Sequence, residues 1–167
     1  SDVCSSDLEE NGSIICDCME FGLPPLFPYA DGTMPKQSEA EAKHTRWEID
    51  IKNSKLIKTS LDNITGEFPR FDERFALRKY THGYYAGSIG NHPRGMSLNS
   101  IIHYDYNTGE RKSYTTAEGG AVGEPVFAPK SKESKDGEGW LIATEYNGSE
   151  NRSNLIFLDA QHVDDGP

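Results

Sequence analysis

A chain of 167 residues is long enough for one domain with a buried core and short for two. Its 27 acidic against 17 basic residues leave a formal charge of -10, and no Lys/Arg run offers the positive surface that a phosphate backbone requires, so nucleic acid is not an expected partner. No apolar stretch has the length of a membrane-spanning helix and the N-terminus lacks a basic and apolar leader pattern, so a cytoplasmic protein without a transmembrane segment is expected.

In chain order, Ser1–Leu8 ("SDVCSSDL") reads like one translated frame of a short-read sequencing adapter, and is expected to be foreign to the gene. Residues 9–167 are then expected to start in the middle of a gene and to be a fragment of a larger domain. "NGSIICD" begins a strand on which Cys16 and Cys18 share a face; with no partnering Cys or His at ligand spacing they read as small reduced thiols, not a zinc site. "FGLPPLFPYADGTMPK" holds Pro24, Pro25, Pro28 and Pro35 and cannot be helix or central strand; Leu23, Leu26, Phe27 and Tyr29 predict a loop packed over a surface.

"RWEIDIKNSKLIKTSL" alternates around a polar turn, with Trp47, Ile49 and Ile51 on one side. "NSIIHYDYNTGERKSYT" repeats the design, with Gly109 able to supply a positive φ at the turn. "NLIFLDA" reads as the opening strand of a third hairpin with nothing after it to pair with, and "KSKESKDGEG" as a solvated hairpin tip. Asp50, Asp105 and Asp159 recur at intervals of 55 and 54 residues, which suits the blades of a β-propeller; Asp17 does not fit this interval. Unrelated hairpins in a β-sandwich would give the same local pattern.

Two acidic positions stand out. In "GEFPRFDERF", Glu67, Arg70, Asp72, Glu73 and Arg74 form either a surface ion-pair cluster or, if Phe68 and Phe71 anchor the segment, a polar face held against the interior. In "GEPVF", Pro125 biases Glu124 toward extended backbone and so fixes the direction of its carboxylate, as a group accepting the N–H of a metal-bound histidine requires. The five histidines, His44, His82, His92, His103 and His162, have no metal-ligand spacing among them.

The ordered set "GEFPRFDERF", the Asp-x-x-Thr-Gly turn, "GEPVFAPK", "GWLIATEYN" and "SNLIFLDA" resembles the C-terminal part of the carotenoid cleavage oxygenases, a family that includes the lignostilbene dioxygenases. The resemblance implies an all-β fold, a partial seven-bladed β-propeller of which this chain holds two to three blades. It implies Fe(II) on the propeller axis in the full-length enzyme, held by four histidines, with Glu67 and Glu124 among the carboxylates that support them. The histidine positions of the family fall outside this sequence, so iron is not expected to bind the fragment, none of its histidines is a ligand, and the fragment alone should be inactive. The implied substrates are O2 and an apolar polyene or phenolic stilbene; peripheral membrane contact stays open. A non-catalytic propeller serving as a binding module is the alternative.

Overall fold

The computed structural model describes residues 3–10, 12–24, 27–90 and 98–167, with the backbone alone for 3–10 and Gln37; Pro25, Leu26 and His92 lie outside the described residues. Three antiparallel sheets follow one another along the chain. The first runs β1 (Val3–Glu10), β2 (Ser13–Phe21), β3 (Ala42–Asp50), β4 (Lys55–Ser60), and the segment read as foreign supplies most of β1. The second runs β5 (Thr65–Phe71), β6 (His82–Ser88), β7 (Ser100–Asp105), β8 (Arg111–Thr115). In the third, β9 (Ala121–Val122) and β10 (Val126–Pro129) both pair with β11 (Gly139–Asn147), which pairs with β12 (Arg152–Asp159).

Period-2 alternation stacks the sheets. On β6, Tyr85 joins Ile102, Met19 and Ala42 in a core facing the first sheet. Its neighbours Tyr84 and Ala86 join Ile101, Leu141, Ala143, Ile156 and Leu158 in a core facing the third. Gly66 is required beside this stack, because a Cβ there would lie 2.6 Å from both the Tyr85 ring and the Ala86 carbonyl. The first strands meet along one side, β5 against β1 and β10. Stacked meanders with their first strands together are successive propeller blades.

The recurring aspartates end β3, β7 and β12 and cap the turn that follows each. Asp50 Oδ1 accepts from Asn53 N at 2.9 Å, Asp105 Oδ1 from Asn107 N at 2.7 Å, and Asp159 Oδ1 from Gln161 N at 3.0 Å. Gly109 takes φ +75° in the second of these turns, as expected. Asp17 misses the interval because it lies on a second strand, β2, where Arg46 binds it through two hydrogen bonds of 2.7 Å.

"NLIFLDA" is β12 and pairs with β11, in register from Trp140↔Asp159 to Asn147↔Arg152, as β3 pairs with β2 and β7 with β6. Two expectations are corrected. The proline-rich loop is not packed down: Phe27, Tyr29 and Met34 are exposed, since a local turn (Gly32 N to Tyr29 O, Thr33 N to Asp31 Oδ1) holds it clear of the sheet. Trp47 and Ile49 share a side as expected, the one away from the second sheet, but Ile51 lies in the turn beyond β3; the face of β3 toward the second sheet carries Ala42 and His44.

Candidate functional site

Both glutamates sit where a first strand departs from a regular ladder. In β5 the pairs run Gly66↔Gly87 and Glu67↔Ala86, then skip to Arg70↔Tyr84. Phe68 and Pro69 therefore form a bulge opposite Tyr85. Phe68 has φ +58°, the one non-glycine residue inside a described strand with positive φ. A conformation of this kind costs on the order of 1–3 kcal/mol and is held here by packing of the Phe68 ring on the core shared with the third sheet. The geometric effect is specific. Residues three apart on a regular strand face opposite ways, but Ala86 and Tyr84 share a face, so the bulge turns Glu67 and Arg70 to the same side, toward the third sheet.

Across the seam the first strand is broken. Val122 pairs with Glu145 and Val126 with Ile142, leaving Gly123, Glu124 and Pro125 between two short strands. Gly123 N donates to Thr144 O at 2.8 Å, and a Cβ at Gly123 would lie 2.4 Å from Thr144 Oγ1. Pro125 is buried, which anchors the break and fixes the backbone of the preceding glutamate.

The two carboxylates have different surroundings. Glu124 is ion-paired through Oε1 to Arg70 Nη2, and Arg70 Nη1 lies 3.8 Å from Glu73. Glu67 is half-buried and makes no hydrogen bond or ion pair among the described residues; burial pushes its carboxyl above the ordinary value of 4.5. Arg70 also borders a cleft of about 330 Å³ with Phe71, Val126 and Phe127.

The remaining charges of "GEFPRFDERF" serve a separate purpose. Asp72 is buried and accepts from Arg74 N, Nε and Nη2, while Arg74 Nη1 donates to Ser131 O and Lys132 O, each at 3.0 Å. Thr81 N and Oγ1 both donate to Asp136 Oδ2. The charged segment is a hairpin tip as expected, with Ser131, Lys132, Glu133 and Lys135 exposed, and it is also tied to the second sheet. The cluster is neither surface decoration nor one site: Glu67 and Arg70 face the seam, and Asp72 and Arg74 hold the tip.

Two histidines are buried for structural reasons. His44 Nε2 lies 3.1 Å from Tyr106 OH within a shell of Tyr85, Tyr104 and Tyr106, and burial pulls its pKa down to about 4. His82 Nδ1 lies 2.9 Å from His103 Nε2, and His103 stacks on Tyr84; burial first, then His82, lowers His103 to about 4. This pair was invisible in the sequence because strand pairing, not spacing, brings the rings together. His162 is exposed beside Lys112. Cys18 is a buried thiol whose Sγ donates to Thr45 O at 3.6 Å. Among the described residues, no three His, Cys, Asp or Glu side chains converge as metal ligands.

The model of the family described as RPE65, retinal pigment epithelial membrane protein, matches residues 7–167. The chain is 30% identical over 169 residues to isoeugenol monooxygenase of Pseudomonas putida, a match covering 95% of this chain and 35% of that protein. It superposes on lignostilbene dioxygenase of Pseudomonas brassicacearum with a TM-score of 0.88 at 26% identity, over 98% of this chain and 37% of that one. On cobalt-substituted Synechocystis apocarotenoid oxygenase the TM-score is 0.84 at 27% identity, over 99% and 34%. The chain thus spans about a third of the length of these relatives. Its three sheets are blades of their seven-bladed propeller. Through a match that takes in both glutamates and all three sheets, the chain belongs to the RPE65 family of carotenoid cleavage oxygenases.

Proposed function

We propose that the complete polypeptide carrying this chain is a non-haem Fe(II) oxygenase that uses O2 to cleave a carbon–carbon double bond of an apolar conjugated substrate, an apocarotenoid or a phenolic stilbene, into two carbonyl products. The carrying observation is the pair Glu67 and Glu124, set by a bulge and a break on adjoining first strands in a chain of this family. The relatives' names, with isoeugenol, lignostilbene and apocarotenoid as their objects, support the substrate class.

Ferrous ion, when bound, supplies the open coordination and the electrons that O2 chemistry needs. The residues of this chain suit its outer surroundings: a half-buried carboxylate with no hydrogen bond or ion pair among the described residues, and a second one ion-paired through Oε1 to Arg70, are acceptors for imidazole N–H groups. Glu67 and Glu124 would each hold a ligand histidine in one tautomer and ring direction, and their negative charge would offset the metal's. The histidines come from the rest of the polypeptide, and His44, His82, His92, His103 and His162 are not ligands. The 167-residue chain alone is expected neither to bind iron nor to turn over substrate.

Glu124→Gln in the full-length protein tests this reading. It is expected to weaken iron retention or activity by about 10–100-fold. Unchanged iron occupancy and turnover would overturn it. The origin of Ser1–Leu8 as foreign sequence, with 9–167 as the genuine part, is tested by sequencing the source DNA across Glu9. No helix among the described residues is long and apolar enough to cross a membrane; we place the enzyme in the cytoplasm, where an apolar polyene would be drawn from a membrane surface by peripheral contact.

A further inference from the structure

The support role leaves Arg70 unexplained. Its guanidinium is the group that spans from the second sheet to Glu124 on the third. Had β5 been regular, a residue three after Glu67 would face the first sheet; the Phe68 bulge is what brings Arg70 to the seam. Arg70 is ion-paired with Glu124 through Oε1, and Oε2 makes no hydrogen bond among the described residues. Glu73, 3.8 Å from the other guanidinium nitrogen, flanks Arg70 on its far side.

We infer that Arg70 is a positioning residue for the metal centre: it clamps one oxygen of Glu124 across the seam, so that the other oxygen is presented to an imidazole N–H. This rests on the reading of Glu124 given above. The planar guanidinium suits the task because its donors are fixed in direction, whereas a lysine ammonium is a point charge on a flexible stem. The arrangement also assigns the glutamates different means of control. Glu124 is aimed by an ion pair, and Glu67 by the bulge at its own backbone.

The test uses the full-length protein, with iron retained per chain against a competing chelator as the readout. Glu124→Gln, Arg70→Gln, Arg70→Lys and the doubles of each Arg70 variant with Glu124→Gln are compared, with thermal midpoints of the metal-free forms recorded alongside. Arg70→Gln is expected to lower retention about tenfold, within the range for groups that orient ligands. Arg70→Lys should recover part of that loss, and neither Arg70 variant should add to the loss once Glu124→Gln is present, because contacting residues that act through one another are non-additive. Additive losses, or native retention in Arg70→Gln, would overturn the inference. Native retention in Glu124→Gln would instead sink the parent reading of Glu124. If Arg70→Gln does not fold, the same coupling is read from Arg70→Lys and its double.

Discussion

Glu67 carries a conflict between folding and function that can be read from its protonation. A half-buried carboxylate with no partner is disfavoured in its charged form, which is why burial raises its pKa. The folded protein therefore holds this proton to higher pH than the unfolded chain does. Its contribution to stability is intact below the ordinary value of 4.5 and is lost as pH rises through the raised folded value. Glu67→Gln is thus expected to raise the melting temperature of the 167-residue chain at pH 7 and to give no gain at pH 4, and, in the full-length protein, where a histidine N–H would be its partner, to weaken iron retention. A lower melting temperature at pH 7 would show that the carboxylate has a stabilising partner. His44 and His103 carry the opposite sign. With folded values near 4 against an ordinary 6.5, their contribution is present above pH 6.5 and is lost as pH falls toward 4. The melting temperature of His103→Gln should therefore fall less steeply than that of the parent between pH 6.5 and 4.

At the level of elements, the sequence was most legible where one strand and its turn decide the outcome. The β3–β4 and β7–β8 hairpins, the Gly109 turn and the spacing of Asp50, Asp105 and Asp159 all follow from alternation and from aspartates capping turns. Phe68 and Phe71 were legible as anchors because they are apolar residues in a charged run. What spacing could not show was the direction of Arg70, since a bulge reverses the alternation beyond it, or the meeting of His82 with His103, which are 21 residues apart and joined by strand register. The docking of the 131–138 tip was hidden for the same reason, because its partners Arg74 and Thr81 lie on another blade. Gly66 tests the packing that fixes this register. With the Tyr85 ring and the Ala86 carbonyl each 2.6 Å from where a methyl group would sit, Gly66→Ala is expected to cost about 1–3 kcal/mol, the usual penalty for overfilling a packed site. A loss of several degrees in melting temperature, together with weaker iron retention through the displaced Glu67, would be the result; no change in either would mean that β5 can shift freely.

Across the whole molecule, the outer face of the third sheet is the feature least suited to standing alone. Val126, Ile142 and Phe157 are cross-strand neighbours in one row, with Leu155 and Trp140 beside them; Leu155 is 60% exposed, Val126 54% and Phe157 52%. Lys130 lies 5.3 Å from the Trp140 ring and shields part of that end, but the Val126–Phe157 row is bare among the described residues. The inner face of the same sheet, by contrast, is sealed by Leu141, Ala143, Ile156 and Leu158 against the second sheet. A blade with one face sealed and the other apolar and open calls for a further blade on the open side. The isolated 167-residue chain is therefore expected to self-associate, and Leu155→Lys with Phe157→Lys to shift it toward monomer in size-exclusion chromatography. In the full-length protein the same pair should do the reverse, placing two charges in a buried contact and lowering soluble yield and melting temperature. Lysines tolerated in both contexts would mean that this face is exposed in the complete propeller too, and the blade-on-blade continuation drawn here would be wrong.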